Sequence, residues 1–551
     1  MSDASTHEVE NQPPPFEGVS LYDSDAALVE GLQREAGSGN LAAFELRVAD
    51  FGAWLGRPEA RELGVQANRF PPELRTHDRF GHRIDEVAFH PAWHAVMAEA
   101  MRREVHNLPW RHPRPGAQAA RAAMLSMLAQ VEAGSCCPLT MTFAAMPVLR
   151  REKGLAAFWE EKLLGTVYEP RLMPPSEKEA VLIGMAMTEK QGGSDVRANS
   201  TRAVPVGEAG AFELTGHKWF CSAPMSDAFL TLAKTGAGIT CFLVPRFRPD
   251  GTRNPFQLQR LKDKLGNRSN ASSEVEYRGT FARRLGEEGR GVRTILEMVH
   301  HTRLDCVSGS TGLVRRGVAE ALHHAAHRAA FGRRLVEQPL MRNVLADLAL
   351  ESEAATALML RLARAFDAGD DPGERAFARI ATAVGKYWIC KRAPHLLYEA
   401  MECLGGNGYV EESVMPRLYR EAPVNAIWEG SGNVICLDVL RAMVREPDSL
   451  PALRAELAVA RGADRRLDAW LDALEAELAR KDEVELRARG LVERMALALQ
   501  ASLLVRHAPP AVADAFCAGR LGAEGAPGRV FGTLPAGLDL DAVITRAMPR
   551  R

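Results

Sequence analysis

The sequence predicts a mainly α-helical protein with a central antiparallel β domain. Three stretches of different texture along its 551 residues carry that reading. From about residue 26 to 157 the pattern is Ala/Leu-rich and helix-periodic, broken at the Pro/Arg stretch 110–115. Between residues 179 and 291, short β-branched and aromatic runs alternate with Gly, Pro, Asp and Asn turns. Long apolar helical periodicities then resume. The expected order is a helical domain over 1–178, a β domain over 179–291, a four-helix bundle over 292–446 and a helical extension over 447–551.

Within the β domain, residues 228–233, 240–244 and 273–277 read as strands. In the bundle, one helix spans 303–331 and ends at Gly332. A second runs Pro339–Asp367, with Pro at its start and Gly369 beyond it. A third spans 374–403, closed by Gly405-Gly406, and a fourth runs Gly432–Arg445. Four amphipathic helices joined mostly by short connections specify an antiparallel bundle. The extension is helix-periodic to about Arg520. Its last thirty or so residues are Gly/Pro-rich and read as loosely ordered.

Composition excludes several classes. Net charge is −1, hydrophobic content 46% and charged content 25%. No global field draws such a chain to nucleic acid or an anionic membrane. There is no apolar run of bilayer-spanning length. Residues 1–15 are polar and proline-rich, without a signal-peptide core, so a cytoplasmic location is expected. Nine cysteines without a Cys-x-x-Cys spacing indicate neither a disulfide framework nor a zinc knuckle.

Three segments carry chemistry. In Ile427-Trp428-Glu429-Gly430-Ser431-Gly432-Asn433, one carboxylate sits between a large aromatic and a Gly-Ser-Gly turn. Apolar surroundings suit a general base, whereas a bare helix-start acid would also fit this short stretch. Met187-Thr188-Glu189 runs into Gly192-Gly193-Ser194-Asp195, whose hydroxyls and backbone N–H groups could meet a heterocycle or phosphate. Gly216 to Ser222 holds Trp219 and Phe220 beside Ser222, a set able to stack on and hydrogen-bond a planar ligand. His323 and His327 lie one helical turn apart without an evident third ligand, so no metal is assigned and an exposed or interface position is expected.

Taken in order, these segments resemble the acyl-CoA dehydrogenase family of flavoproteins. The further landmarks are Lys264 to Ser269, Arg328 to Gly332 with Gln338, and Leu404 to Tyr409. The run 132–143 with Cys136-Cys137-Pro138, the stretch 261–271 and the extra tail are similar to the AidB-like branch, which is associated with the adaptive response to DNA alkylation. The resemblance implies FAD as cofactor, a short or branched acyl-CoA as substrate and a homotetramer. It implies Glu429 as the catalytic base. On the flavin it implies Met187, Thr188, Ser194, Phe220, Cys221 and Ser222. Trp428, Ser431, Gly432 and Asn433 would close the site beside the base. Arg328, Phe331, Gln338, Gly405 and Gly406 would hold the pyrophosphate and adenosine of a neighbouring subunit's FAD. Glu402, an anion before the Gly-Gly turn, would disfavour that contact.

The branch also implies double-stranded DNA as a partner of the extension, with Arg441, Arg445, Arg461, Arg465 and Arg466 as candidate contacts. Residues 450–551 hold 15 Lys and Arg against 14 Asp and Glu, far from a basic domain. The alternative is a dedicated catabolic acyl-CoA dehydrogenase with no DNA role.

Overall fold

The computed structural model describes residues 6–522 and 530–549. Their contacts divide into two compact units that cross the chain order. One gathers residues 1–58, 310–426 and 435–551; the other gathers 59–309 and 427–434.

The second unit carries all the strands outside the bundle. A hairpin of β1 (Glu73–His77) and β2 (Arg83–Ala88) interrupts the N-terminal helices. Its residues are largely polar and partly buried, and its one cross-strand apolar pair, Leu74 and Val87, packs on the β core. It is held by long-range bonds: Arg83 donates to Leu258 O at 2.8 Å, and Leu258 N–H donates to Asp85 Oδ1 at 2.8 Å. The main sheet comprises β3 (Ile183–Ala186), β4 (Arg202–Pro205), β5 (Ala211–Ser222), β6 (Ala228–Thr235), β7 (Gly238–Pro245), β8 (Phe256–Leu261) and β9 (Ser272–Leu285). Its pairing closes on itself through β4-β5-β9-β7-β6 and back to β4, with β3 beside β6 and β8 beside β9. Most pairs are antiparallel, as the sequence predicts; β3 and β4 run parallel to β6. One face buries Phe212, Cys221, Phe229, Phe242, Phe256 and Tyr277.

The helix Ala117–Val131 of this unit is buried along its whole length, including Arg121. That guanidinium grips Asp305 with two bonds of 2.7 Å, and Thr140 donates to the same carboxylate at 2.7 Å. A buried cation survives here because it is paired and bidentate.

The first unit is helical; of the helices described with it, residues 291–309 and 432–434 belong to the second unit. The helices Pro339–Asp367 and Gly432–Arg445 match the predicted bounds, and Pro372–Cys403 begins two residues early. The helix predicted over 303–331 is displaced: it runs Gly291–His327, then gives way to a short hairpin of β10 (Ala329–Ala330) and β11 (Arg333–Arg334). Phe331 and Gly332 both take left-handed backbone at the hairpin tip, with φ of 53° and 75°, the geometry of a two-residue hairpin turn. A further helix, Met415–Asn425, packs on Pro372–Cys403.

The tail is built into this unit. Helices Ser449–Ala458, Arg465–Ala479, Val484–His507 and Pro510–Arg520 are followed by Leu540–Ala547. The loosely ordered terminus expected from its composition is therefore corrected for residues 530–549; residues 523–529 lie outside the described chain. Ion pairs explain it. Arg546 holds Glu30 at 2.6 Å and Glu353 at 2.9 Å, while Arg520 holds Asp347 and, at 2.8 Å, Glu351. Asp347 and Glu351 are nearly fully buried. Arg520→Met leaves two buried carboxylates short of a partner and is expected to cost about 3–5 kcal/mol, measured by chemical denaturation; a loss below about 1 kcal/mol would show that the tail is not anchored by this residue.

Candidate functional site

Glu429 belongs to the second unit, on the turn leading into the helix Gly432–Arg445. Its φ is 57° and that of Gly430 is 109°. A glutamate in the left-handed region is strained by about 1–3 kcal/mol and persists only where its surroundings hold it. Two neighbours on Gly291–His327 do so. Thr302 Oγ1 donates to Glu429 Oε2 at 2.6 Å, and Arg303 Nε donates to the Glu429 main-chain oxygen at 3.1 Å. Thr302 and Arg303 are themselves buried. Trp428 packs against the apolar cluster that includes Met141, Val181, Ile295 and Met298. One carboxylate oxygen is thus fixed by a hydroxyl beside an apolar wall. Sequence reasoning missed Thr302 and Arg303, because nothing local distinguishes them from any polar pair on a buried helix face.

Residues 132–143 and 261–271 meet in the same unit. Glu132 accepts from Ser135 N–H at 2.6 Å, Gly134 N–H at 3.1 Å and the Ser269 hydroxyl. A Cβ on Gly134 would lie 2.0 Å from Ser269 Oγ, so only glycine admits that approach. Cys137 follows. Burial pushes its thiol up to about 12; Lys264 and the side chains of Ser222 and Asn270 act against that rise, and the charge of Glu429 adds to it. Cys137 is therefore a neutral thiol near physiological pH, grouped with Ser222, Lys264 and Glu429.

The Met187–Asp195 loop is fastened to β5. Trp219 N–H donates to Thr188 O at 2.8 Å, and Asn199 Nδ2 donates to Met187 O at 2.9 Å. Glu189 and Lys218 form an ion pair of 2.8 Å with both side chains fully buried. Burial opposes the Glu189 charge, but Lys218 and the N–H groups of Ser200 and Thr201 outweigh it and hold the carboxyl down to about 2. The pair links two motifs that sequence reasoning treated separately. It leaves Thr188 half-buried and Ser194 exposed on the same loop.

A β-bulge between Lys218 and Cys221 opens β5 at Trp219 and Phe220. Phe220 is 51% exposed. The Lys262 ammonium sits 3.2 Å from the Trp219 ring centroid and 4.9 Å from that of Phe220. The predicted residues separate here. Phe220 offers a ring face and half-buried Ser222 a hydroxyl, while the Cys221 side chain is wholly buried in the β core. Ser431 and Gly432 are half-buried, and Asn433 is exposed.

In the first unit the structure brings Arg328, Phe331 and Gln338 onto one hairpin. Gln338 Nε2 donates to Ala330 O at 2.9 Å, and Leu335 N–H donates to Arg328 O at 2.9 Å. Phe331 is 99% exposed. Gly405 and Gly406 close the helix Pro372–Cys403, with no atom within 4 Å of where a Cβ would stand. Glu402 is exposed, and its main-chain oxygen accepts from Gly405 N–H at 2.9 Å. His323 is buried rather than on an exposed face, under the ring of Phe16.

Three regions of the chain match family descriptions: residues 11–170 the adaptive response protein AidB N-terminal domain, 184–280 the acyl-CoA dehydrogenase middle domain, and 289–444 its C-terminal domain. The chain is 49% identical over 515 residues to the AidB protein of Escherichia coli (strain K12), covering 93% of this chain and 94% of that one. It is 30% identical to acyl-CoA dehydrogenase family member 11 of Caenorhabditis elegans, covering 85% and 78%. The structure of C. elegans ACDH-11 in complex with C11-CoA superposes with a TM-score of 0.84 at 28% identity, covering 94% and 93%. Butyryl-CoA dehydrogenase of Megasphaera elsdenii shares the fold, with a TM-score of 0.59 at 20% identity. Helical and β parts in this order, with a carboxylate held on a strained turn, define an acyl-CoA dehydrogenase. The chain belongs to that family and, within it, to the AidB branch. It is an oxidoreductase whose cofactor is FAD.

The residues present fit that cofactor. Thr188, Ser194 and Ser222 offer hydroxyls for a heterocycle, and Phe220 offers an open ring face. Arg328 and the unobstructed Gly405-Gly406 turn suit phosphates.

Lys218→Met strands the buried Glu189 carboxylate and is expected to cost about 3–5 kcal/mol. Because the Glu189 pKa is depressed, its stabilisation is full above the ordinary carboxyl range near 4.5 and is lost as pH falls towards about 2. Acid unfolding curves of wild type and Glu189→Gln should therefore converge below pH 2. Parallel curves throughout would contradict the pairing.

Proposed function

We propose that this chain α,β-dehydrogenates a short or branched acyl-CoA, with Glu429 as the base. The Thr302–Glu429 hydrogen bond carries the reading. An α C–H beside a thioester is a weak acid, so the base must be aligned before reaction. Thr302 holds Oε2 at 2.6 Å and so fixes the orientation of the carboxylate that would take the α proton. Thr302 Oγ1 also lies 3.0 Å from Val299 O, but it has one proton to give, and the shorter contact is to the carboxylate. Arg303 fixes the backbone that presents the side chain. The apolar wall around Trp428 keeps water from competing for the base.

Phe220, Thr188, Ser194 and Ser222 would hold the flavin, and Arg328, Phe331, Gln338, Gly405 and Gly406 the pyrophosphate and adenosine of a neighbouring subunit's FAD in a homotetramer. FAD, when bound, supplies the hydride acceptor. Support for an acyl-CoA substrate comes from family membership and from the C11-CoA complex of the C. elegans relative. Glu429→Gln should lower the rate of anaerobic flavin bleaching by isovaleryl-CoA about 10²–10⁴-fold, with FAD content unchanged. Bleaching at the wild-type rate would remove Glu429 from the chemistry.

The second part of the reading is a cytoplasmic role in the DNA alkylation response, with residues 447–551 on double-stranded DNA. Membership of the AidB branch supports it, as do the exposed guanidiniums of Arg445 and Arg465. Three other candidates are already paired: Arg441 with Asp438 at 3.3 Å, Arg461 with Asp472 at 2.9 Å, and Arg466 with Asp464 at 2.6 Å and Asp514 at 2.8 Å. Any DNA contact must then rest on few phosphates and show a shallow salt dependence. Titration over salt with Arg445→Gln/Arg465→Gln should weaken binding and reduce the slope by about 2. An unchanged slope assigns any DNA binding elsewhere.

A further inference from the structure

Residues 7–16 have no regular secondary structure and are mostly exposed, yet they are fastened at four points within the first unit. The Asn11 carboxamide makes a reciprocal pair with Ala329: Nδ2 donates to Ala329 O at 2.8 Å, and Oδ1 accepts from Ala329 N–H at 2.8 Å. Arg328 Nη1 donates to Asn11 O at 2.6 Å. His323 Nε2 donates to Pro14 O at 2.8 Å. Phe16 stacks on His323, ring centroids 4.7 Å apart, with the Arg316 guanidinium 5.1 Å away.

The pairing of the hairpin explains why an asparagine is needed. Leu335 N–H bonds to Arg328 O, so the alternation of an antiparallel ladder turns the N–H and C=O of Ala329 outward. A hairpin of two residues per strand is too short to hold itself in water. The Asn11 side chain, an amide like the backbone, meets both outward groups as a third strand would. Its φ of 56° is one that asparagine tolerates better than most residues. The three prolines at 13–15 have no N–H to satisfy and pre-stiffen the segment, which lowers the entropy cost of pinning it.

We propose that Asn11 is a cofactor-positioning residue: the 11–16 segment clasps the Ala329–Arg334 hairpin and aims Arg328 at the pyrophosphate of FAD. This rests on the reading that Arg328 holds that pyrophosphate. The clasp uses a single N–H of the guanidinium, which has five, so it orients the group without occupying it. It places a function on an N-terminal segment outside the flavin motifs.

The test is a double-mutant cycle on the full-length protein, with FAD and FMN titrated into apoprotein. FMN lacks the adenylate half, so a residue acting through Arg328 discriminates between the two. Asn11→Ala should raise the Kd for FAD about tenfold and leave that for FMN within about twofold. Asn11→Asp is isosteric and keeps the acceptor for Ala329 N–H, but adds an anion beside Arg328. It should weaken FAD at least as much, with salt relieving part of the loss. Arg328→Ala should also lose FAD, and adding Asn11→Ala to it should cost nothing more. Equal weakening of FAD and FMN, additive losses in the double variant, or an unchanged FAD Kd in both Asn11 variants would overturn the clasp. An unchanged FAD Kd in Arg328→Ala would instead overturn the reading that Arg328 holds the cofactor, separately from the clasp.

Discussion

The fully buried ion pair between Glu189 and Lys218 is the constraint from which the positions of the Met187–Asp195 loop and of β5 at Trp219 and Phe220 follow. It joins a loop to a strand in a place with no water to screen either charge, so neither end can move without exposing an uncompensated ion. Thr188 precedes one member and Phe220 follows the other by two residues. Both side chains therefore inherit their positions from this buried pair. The same device recurs on the helix Gly291–His327. Asp305, gripped by Arg121, lies two residues beyond Arg303 and so fixes the register of Thr302 and Arg303. Asn11 on Ala329, beside Arg328, is a neutral version of the arrangement.

This explains what the sequence shows and what it hides. The order of domains is legible because it depends on periodicity, and two of the bundle helices match to the residue. Glu429 is legible as a candidate because aromatic, acid and glycines are neighbours in the chain. Thr302 is not: its meaning arises from a hydrogen bond across 127 residues of sequence. Nor is the β1–β2 hairpin, whose anchors on Leu258 are equally remote. Residues 328–331 read as the end of the helix because the apolar spacing continues to them, but two successive left-handed residues at Phe331 and Gly332 make a hairpin there. Cys221 shows the converse failure: it stands beside Phe220 and Ser222 in the chain, but its side chain is buried in the core.

The extension is a case where composition misleads in two directions. A Gly/Pro-rich terminus suggests disorder, yet Arg520 and Arg546 spend their charges on buried or half-buried carboxylates of the bundle. Clustered arginines suggest an anion-binding face, yet most are answered locally by Asp438, Asp464, Asp472 or Asp514. Near-neutral charge over the tail is what an element that packs on its own protein requires, because each inward arginine needs a carboxylate.

The backbone of Glu429 gives the strongest reason to regard its carboxylate as functional rather than as a helix-start acid. A helix-start acid is favoured by the macrodipole in ordinary backbone geometry, and many residues would serve. Here the residue sits at φ 57°, where glycine would be easier, and glycines stand on its C-terminal side at 430 and 432. The chain could relax the turn by one substitution and lose only the carboxylate. Instead it commits a buried arginine to the strained carbonyl and a buried threonine to the side chain. Strain kept in place by dedicated partners is the observation that favours the proposal that this side chain does chemistry.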